Sequence, residues 1–240
     1  MELLKKRVLI TGGAKRVGRV IALALAKKGA SILLHCHNSL TEAEITASEI
    51  KALGVSCEIL QADLSRVDQI HAMTKKISTP VDILINSASA FYKTPIREVT
   101  EKNWDELLDA NLKGPFFLSQ ELASRMANGT GGKIINIADW SGIRPYKDYA
   151  PYCASKGGLI TLTKALARDF APKVSVNAVA PGPVMMPENF SQDEVKAIAN
   201  LTAVGRIGTP EDIANAVIFL LENDFINGTV LTVDGGRSIV

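Results

Sequence analysis

The chain has few cysteines, few aromatic residues and no long apolar run, and each shortage excludes a class of protein. Only three of its 240 residues are cysteines, Cys36, Cys57 and Cys153, and they lack metal-ligand spacing. An odd number of unclustered cysteines favours packing roles in a reducing, cytoplasmic setting over a disulfide framework. No apolar run approaches the ~20 residues of a membrane helix. The apolar stretch after the basic N-terminus ends at Gly12, too soon for a secretory signal.

The chain also has little excess of one sign of charge over the other. The formal net charge is only +2, and the basic residues are spread along the chain rather than clustered. This distribution argues against nucleic acid and membrane surfaces as partners and favours a small-molecule substrate. Hydrophobic residues make up 47% of the chain, which is ordinary for a globular protein with a sizeable core.

Short apolar runs alternate with longer segments of helical spacing from end to end. The predicted strands cover residues 7–11, 31–36, 56–61, 82–86, 133–138, 174–180 and 230–233. The predicted helices cover residues 17–28, 40–53, 66–78, 101–111, 113–127, 150–171 and 210–222. This alternation predicts one α/β domain over residues 1–240, a doubly wound parallel sheet with helices on both faces. Ligands of such sheets bind beyond the carboxyl ends of the strands.

The segment after the first strand has the composition of a phosphate-binding turn. Gly12 and Gly18 permit a tight turn, and the helix that opens there presents backbone amides to a pyrophosphate. Lys15, Arg16 and Val17 lie between them, with Arg16 at the middle position of the usual glycine-rich pattern. Because the segment follows the first strand of a doubly wound chain, it predicts a dinucleotide site.

The end of the second strand favours NADPH over NADH. An NAD-selective site places an acid there to bind the ribose hydroxyl, whereas this chain has His35, His37, Asn38 and Ser39, and no acid before Glu42. The two basic residues of the preceding turn lie close to where a 2′-phosphate would sit. The histidines are metal ligands by type, but no further ligand cluster accompanies them, so no metal site is predicted.

Tyr152 and Lys156 lie four residues apart at the start of a predicted helix. At that spacing both side chains project from one helix face, about 6 Å apart at their bases. A lysine cation beside a phenol favours the phenolate and lowers the tyrosine pKa from about 10. The pair therefore predicts a tyrosine that transfers a proton near neutral pH.

These features fall into one ordered set of motifs. The set comprises Thr11, Gly12 and Gly18, then Asp63 and Leu64, Asn86 to Ser89, Asn111, Tyr152 and Lys156, Pro181 and Gly182, and Asp234 to Gly236. In order and spacing it resembles the short-chain dehydrogenase/reductase family over nearly the whole chain. The resemblance implies a seven-stranded Rossmann sheet and a homotetramer or homodimer.

The resemblance also implies roles for individual residues. Cofactor contacts are implied for Asp63, Leu64, Asn86, Ser87, Ala88, Tyr152, Lys156, Pro181, Gly182 and Val184. Asp63 would lie near the adenine, and Lys156 would hold the nicotinamide ribose and tune Tyr152. Asn111 would help to hold a water of the proton relay.

One family residue is missing. The family places a serine thirteen positions before the tyrosine, where this chain has Asp139. Three explanations compete for this difference. The site is inactive, Ser141 takes the place of the serine through a local shift of two residues, or the reaction requires an acid at this position. The retained Asn111, Tyr152 and Lys156 argue against an inactive site, and nothing in the sequence suggests the distortion that a shift would require.

An aspartate at this position resembles the pteridine reductase subgroup. Other shared marks are the pair Lys15 and Arg16, the second-strand ending at Ser39, and the segment from Asn86 to Tyr92. In that subgroup the aromatic residue stacks on a flat substrate and the acid joins the proton supply. The implied substrate contacts are Arg16, Ser89, Phe91, Asp139 and Tyr152. Asn38 and Ala90 depart from the subgroup, which usually has arginine and serine there.

Three functions follow as hypotheses. The first is NADPH-dependent reduction of a pteridine or dihydrofolate-like substrate, with protons from Asp139, Tyr152 and Lys156. The alternative is carbonyl reduction of the 3-oxoacyl-acyl-carrier-protein reductase type. The third is a protein that binds NADPH without chemistry, against which the Tyr152–Lys156 pair argues. The short loop near residues 185–209 is expected to select the substrate.

Overall fold

A parallel sheet of seven strands runs through the structure, a computed structural model that describes residues 1–186 and 190–240. The strands are β1 (Arg7–Ile10), β2 (Ser31–Cys36), β3 (Cys57–Gln61), β4 (Ile83–Asn86), β5 (Gly132–Ile137), β6 (Val174–Pro181) and β7 (Val230–Val233). Their order across the sheet is β3-β2-β1-β4-β5-β6-β7. This order confirms the predicted doubly wound Rossmann-type sheet.

Helices cover both faces of the sheet. They are α1 (Arg16–Lys27), α2 (Leu40–Ala52), α3 (Val67–Lys76), α4 (Glu101–Leu108), α5 (Gly114–Asn128), α6 (Ala150–Asp169), α7 (Gln192–Ala199) and α8 (Pro210–Glu222). The strands are apolar on both sides because alternate residues face opposite layers. In β1, Val8 and Ile10 pack in the layer with α1, α2 and α8, whereas Leu9 packs in the layer with α3, α5 and α6.

The strand order reverses at β1. Leu9 of β1 lies opposite Leu33 of β2 on one side and opposite Leu84 of β4 on the other. The chain winds outwards from β1 to β3 in one direction and from β4 to β7 in the other. A reversal of this kind leaves a crevice beyond the carboxyl ends of the central strands.

Two local features differ from the sequence-based prediction. A single π-helical turn, Asp109–Lys113, joins α4 to α5 without the predicted break at residue 112. Helix α7 lies inside the segment predicted as a loop, and a capping box formed by Ser191 and Glu194 begins it. This helix was missed because it is only eight residues long and buries none of them. Residues 187–189 of the same predicted loop lie outside the described residues.

The cysteines take up packing positions, as predicted. Cys36, Cys57 and Cys153 are all buried and unpaired. Among the described helices, none is both long enough and apolar enough to cross a membrane.

Candidate active site

A cleft of about 900 Å³ opens where the carboxyl ends of β1, β2, β4, β5 and β6 meet. Most of the site residues predicted from the sequence line it, namely Gly12, Lys15, Arg16, Val17, Gly18, His35, His37, Asn38, Ser39, Ser87, Ala88, Ser89, Phe91, Asp139, Tyr152, Lys156, Pro181, Gly182 and Val184. Four predicted residues are not part of the lining, namely Asp63, Leu64, Asn86 and Asn111. The fold therefore brings the two ends of the predicted site into one cavity.

The turn between β1 and α1 requires glycine at its two predicted positions. Gly12 has φ 63°, and a Cβ there would lie 2.8 Å from the Cα of Ala88. A Cβ on Gly18 would lie 2.3 Å from the carbonyl oxygen of Gly12. Side chains at either position would push the turn away from β4 or from α1. The turn is therefore closely packed, with its backbone at the cleft surface.

Arg16 occupies a backbone conformation that favours glycine. Its φ is 54°, in the left-handed region, and non-glycine residues held there store on the order of 1–3 kcal/mol. Its guanidinium Nη2 donates to the carbonyl oxygen of Met185, 3.2 Å away, in the segment after β6. Arg16 thus spans the cleft from the turn between β1 and α1 to the segment that precedes α7.

His35 holds the turn between β1 and α1 in place. Its Nδ1 accepts from the backbone N–H of Gly12 at 3.3 Å, and its Nε2 lies 3.0 Å from the carbonyl oxygen of Ala62. These partners require the neutral tautomer with the proton on Nε2. Burial lowers the pKa of His35 to about 4. Both ring nitrogens are engaged within the protein, which leaves the backbone of His35 and the following residues to face the cleft.

Asn86 braces the sheet below the cleft. Its Nδ2 donates to Ser119 Oγ at 3.0 Å and to Asn136 Oδ1 at 2.8 Å, and its side chain is buried. The adjoining backbone N–H groups of Ser87 and Ala88 donate to Thr11 Oγ1 at 2.9 and 3.0 Å. The side chain of Asn86 therefore fixes β4 against β5, while the residues after it reach the cleft.

Asp63 and Leu64 follow β3, beside the cleft rather than on its lining. The Asp63 carboxylate accepts from the backbone N–H and the hydroxyl of Ser65, at 2.9 and 2.7 Å. Leu64 is buried in the sheet layer that contains α3 and α5. Their contact with an adenine remains a prediction from the family resemblance.

Tyr152 and Lys156 lie together on α6, as their spacing predicted. The Tyr152 hydroxyl donates to Asp139 Oδ2 at 2.9 Å. Lys156 Nζ donates to the carbonyl oxygen of Ile137 at 3.0 Å and lies 5.8 Å from the centroid of the Tyr152 ring. Pro151 occupies the first turn of the helix, where its missing N–H leaves no hydrogen bond unmade.

The pKa of Tyr152 differs from the sequence-based expectation. Burial and the neighbouring Asp139 carboxylate raise it well above its ordinary value. The expected lowering by Lys156 was wrong because the ammonium group binds a backbone carbonyl and the hydroxyl binds a carboxylate. Burial in turn lowers the pKa of Lys156 to about 8, against the opposing attraction of Asp139. The site therefore holds a protonated phenol beside a buried lysine.

Asp139 occupies the position of the missing serine. It follows β5, and its Oδ1 accepts from the backbone N–H of Ser141 at 2.7 Å, which caps the short 3₁₀ turn Trp140–Gly142. Ser141 is buried, does not line the cleft, and its Oγ makes no hydrogen bond within the described residues. Asp139, rather than Ser141, contacts the tyrosine hydroxyl.

Asn111 sits in the π-helical turn and ties three segments together. Its Nδ2 donates to the carbonyl oxygen of Ala90 at 2.9 Å and to Ser155 Oγ at 3.1 Å. Its Oδ1 accepts from the backbone N–H of Ala90 at 2.8 Å and from Ser89 Oγ at 3.1 Å. These bonds hold the segment after β4 against α6, and the relay-water role of Asn111 remains a prediction.

Aromatic side chains form one wall of the cleft. Phe91 is 53% exposed, stacks on Tyr149 with ring centroids 4.9 Å apart, and meets the edge of Tyr152 at 4.7 Å. Tyr146 packs edge-on against Trp140 at 5.2 Å. The sequence reasoning missed Tyr146 and Tyr149, although three of the four tyrosines fall within seven residues of one another.

Comparison with known proteins agrees with this geometry. A family model described as enoyl-(acyl carrier protein) reductase matches residues 12–238. The 3-oxoacyl-[acyl-carrier-protein] reductase FabG of Staphylococcus epidermidis is 34% identical over 241 residues, which cover 97% of this chain and 99% of the relative. The chain belongs to the short-chain dehydrogenase/reductase family. Its members use nicotinamide cofactors, and the protein is an oxidoreductase.

Other short-chain dehydrogenases/reductases similar to this chain are named for different substrates. Galactitol 2-dehydrogenase of Agrobacterium fabrum is 33% identical, with 99% of each chain covered. A solved structure of a putative gluconate dehydrogenase from Agrobacterium tumefaciens superposes with a TM-score of 0.94 at 28% identity, covering 100% of this chain and 98% of that one. The angucycline C-6 ketoreductase LanV with bound NADP gives a TM-score of 0.92 at 28% identity, with 100% and 98% covered.

Proposed function

We propose that the protein is an NADPH-dependent carbonyl reductase of the 3-oxoacyl-[acyl-carrier-protein] reductase type. The observation that carries the proposal is the Tyr152 hydroxyl on the cleft wall, bonded to Asp139 and next to buried Lys156. The similarity to reductases named for 3-oxoacyl thioesters supports carbonyl rather than pteridine reduction. Pteridine reduction is therefore the second candidate.

The residues at the phosphate end of the cleft fit NADPH. The first turn of α1 contains no acid and begins with Arg16 after Lys15, so its N-terminus favours an anion. The end of β2 presents His37, Asn38 and Ser39 to the cleft, and no carboxylate there would repel a 2′-phosphate. When bound, NADPH supplies the hydride that reduces the substrate carbon.

The protein's own residues supply the proton. The Tyr152 phenol is protonated at neutral pH and so holds the proton that the carbonyl oxygen gains, while its raised pKa makes it a weaker acid than a free tyrosine. Lys156, with a pKa of about 8, remains mostly charged at neutral pH and keeps a positive charge 5.8 Å from the centroid of the Tyr152 ring, which offsets only part of the effect of burial and of Asp139 when the proton leaves. Asp139 orients the hydroxyl through its 2.9 Å hydrogen bond.

Pteridine reduction is the second candidate, and three residues favour it. Asp139 contacts the catalytic hydroxyl, Arg16 spans the cleft mouth, and Phe91 offers a half-exposed ring. A flat heterocycle has faces for an aromatic ring and nitrogen atoms for an acid. Phe91, however, already stacks on Tyr149.

Steady-state NADPH oxidation separates the two candidates. Purified protein is assayed with acetoacetyl-CoA, dihydrobiopterin and dihydrofolate, with the Tyr152→Phe variant as the control for side reactions. We expect turnover of acetoacetyl-CoA that the variant loses. Turnover confined to the two pteridine substrates would replace the first candidate by the second, and NADPH binding without turnover of any carbonyl or pteridine would count against both.

Two further properties are proposed with the function. The family resemblance favours a homotetramer or homodimer, which sedimentation velocity measures directly. The three unpaired cysteines suit a cytoplasmic location, which fractionation tests.

A further inference from the structure

Arg237 places a cation on the cleft wall beside the catalytic residues. Its guanidinium carbon lies 5.3 Å from the ring centroid of Trp140, the residue that follows Asp139. Its Nη1 donates to the carbonyl oxygen of Leu201, 3.0 Å away, just after α7. Arg237 therefore bridges the segment that contains Asp139 and the segment expected to select the substrate.

The backbone of Arg237 is held in a tight turn. The Asp234 carboxylate accepts from the backbone N–H groups of Gly236 and Ser238, at 2.9 and 2.7 Å. The backbone N–H of Arg237 donates to the carbonyl oxygen of Asp234 at 3.1 Å, and the positive φ angles of Gly235 and Gly236 complete the turn. The guanidinium is thus pre-positioned, which reduces the conformational entropy that binding a ligand would remove.

The charge of Arg237 is not balanced within the described part of the cleft. Asp139 is the one carboxylate among the described lining residues, and its two oxygens already bind the Tyr152 hydroxyl and the Ser141 N–H. Across residues 1–186 and 190–240, none of the ion pairs includes Arg237. Lys147, which is exposed, adds a further cation to the same lining.

We infer that Arg237 is a specificity-determining residue that binds an oxyanion of the carbonyl substrate. Guanidinium groups present a planar fork of donors that matches a carboxylate or a phosphate, and the contacts with the Trp140 ring and the Leu201 carbonyl hold that fork at the cleft wall. The substrate would then be an oxo acid, or a thioester whose carrier ends in a phosphate. The inference rests on the proposed carbonyl reduction and specifies what the reduced molecule carries beside its carbonyl.

Matched substrate pairs test this role through the split between KM and kcat. The carboxylate pair is acetoacetate and ethyl acetoacetate, and the phosphate pair is acetoacetyl-pantetheine 4′-phosphate and acetoacetyl-pantetheine. In Arg237→Gln we expect KM to rise on the order of 10- to 100-fold for the anionic member of one pair, with little change for its neutral partner. Arg237→Lys should fall between, and the pair that responds identifies the oxyanion.

A matched variant distinguishes the effect of a positive charge on the cleft lining from that of a positive charge outside it. Arg144 is exposed, lies outside the described cleft lining and donates to the carbonyl oxygen of Val240. Arg144→Gln should leave both members of each pair unchanged. Equal changes for anionic and neutral substrates in Arg237→Gln would show a purely structural role and overturn the inference.

Binding without turnover keeps the inference testable if the proposed reaction is wrong. Trp104 is exposed on α4, so in a Trp104→Phe background the remaining emission comes from Trp140, on which Arg237 lies. Titrating the NADP⁺-bound protein with acetoacetate or pantetheine 4′-phosphate should give a saturable change that Arg237→Gln abolishes. A response equal to that of the neutral analogue, or one that survives Arg237→Gln, would contradict oxyanion binding whatever the protein reduces.

Discussion

The two halves of the cleft are built in different ways. The half beyond β1 and β2 is shaped by the backbone: a glycine turn packs against Ala88, and the buried side chain of His35 holds that turn in place through Gly12. The half under β5 and β6 is made of side chains from segments far apart in sequence, including Asp139, Tyr152 and Arg237. The first half follows from the fold itself, whereas the second depends on residues that can change without altering the sheet.

The largest effect is expected where the side-chain half performs chemistry. In Tyr152→Phe the proton donor is lost while the ring, its edge contact with Phe91 and its packing remain. General acid–base groups contribute roughly 10²–10⁴-fold, so kcat/KM should fall by about 10³. The measurement is steady-state NADPH oxidation with the best substrate, alongside NADPH affinity by fluorescence. A loss of affinity as large as the loss of rate would contradict a role confined to proton transfer.

Lys156 is expected to be required for activity and, at the same time, to lower the free energy of unfolding. It is buried, and its pKa falls from 10.5 to about 8, so keeping it charged at pH 7 costs roughly 3 kcal/mol. Lys156→Met should therefore abolish activity yet raise the free energy of unfolding at pH 7 by an amount of this order.

The pH dependence of unfolding tests whether the loss of a buried charge causes the gain in stability of Lys156→Met. Between pH 8 and pH 10.5 the unfolded chain binds more protons than the folded protein at Lys156, so the lysine's penalty is full below pH 8 and disappears towards pH 10.5. Urea unfolding of both proteins across this range should show the advantage of Lys156→Met shrinking as the pH rises. If the difference in free energy of unfolding between Lys156→Met and the wild type stayed constant with pH, packing rather than charge would be its cause.

The backbone half should respond to acid instead. His35 is buried as the neutral tautomer, and burial lowers its pKa from the ordinary 6.5 to about 4. The unfolded chain therefore binds more protons between these values, so stability from His35 is complete above pH 6.5 and is lost as the pH falls towards 4, by about 3 kcal/mol. In urea unfolding, His35→Asn should lose this part of the acid sensitivity, and His37→Gln, at an exposed position, should keep it.

The same contrast explains what the sequence could and could not predict. The seven strands and the glycine turn were predictable because periodicity and φ requirements are local properties of the chain. The direction of the Tyr152 pKa shift was not, because it depends on how deeply the phenol is buried and on whether its hydroxyl contacts Asp139 or Lys156. No local pattern reveals such a contact between side chains.

Arg237 and α7 were missed for related reasons. Arg237 follows a family motif that ends at Gly236, and its place over Trp140 arises only when the chain end folds back. Helix α7 buries no residue, so packing places little constraint on its sequence, and its eight residues are too few for a clear apolar pattern of helical spacing. Arg16, by contrast, was noted as a replacement for glycine, and its φ of 54° shows that the glycine-like conformation is kept.

The smallest expected effect tests whether Asp139 alone distinguishes this cleft from that of a relative with the usual serine. The Asp139 carboxylate contributes to the raised pKa of Tyr152, so Asp139→Ser should lower that pKa while leaving a hydroxyl to bond the phenol. Asp139 also raises the pKa of Lys156, which is about 8, so Lys156 too should lose its charge earlier in this variant. The fall of kcat/KM at high pH should then begin at a lower pH, with activity at pH 7 changing by about tenfold or less. Asp139→Asn, which keeps the shape but not the charge, should move the basic limb in the same direction. If neither variant moves it, Asp139 controls the protonation of neither Tyr152 nor Lys156, and its hydrogen bond to the tyrosine serves orientation alone.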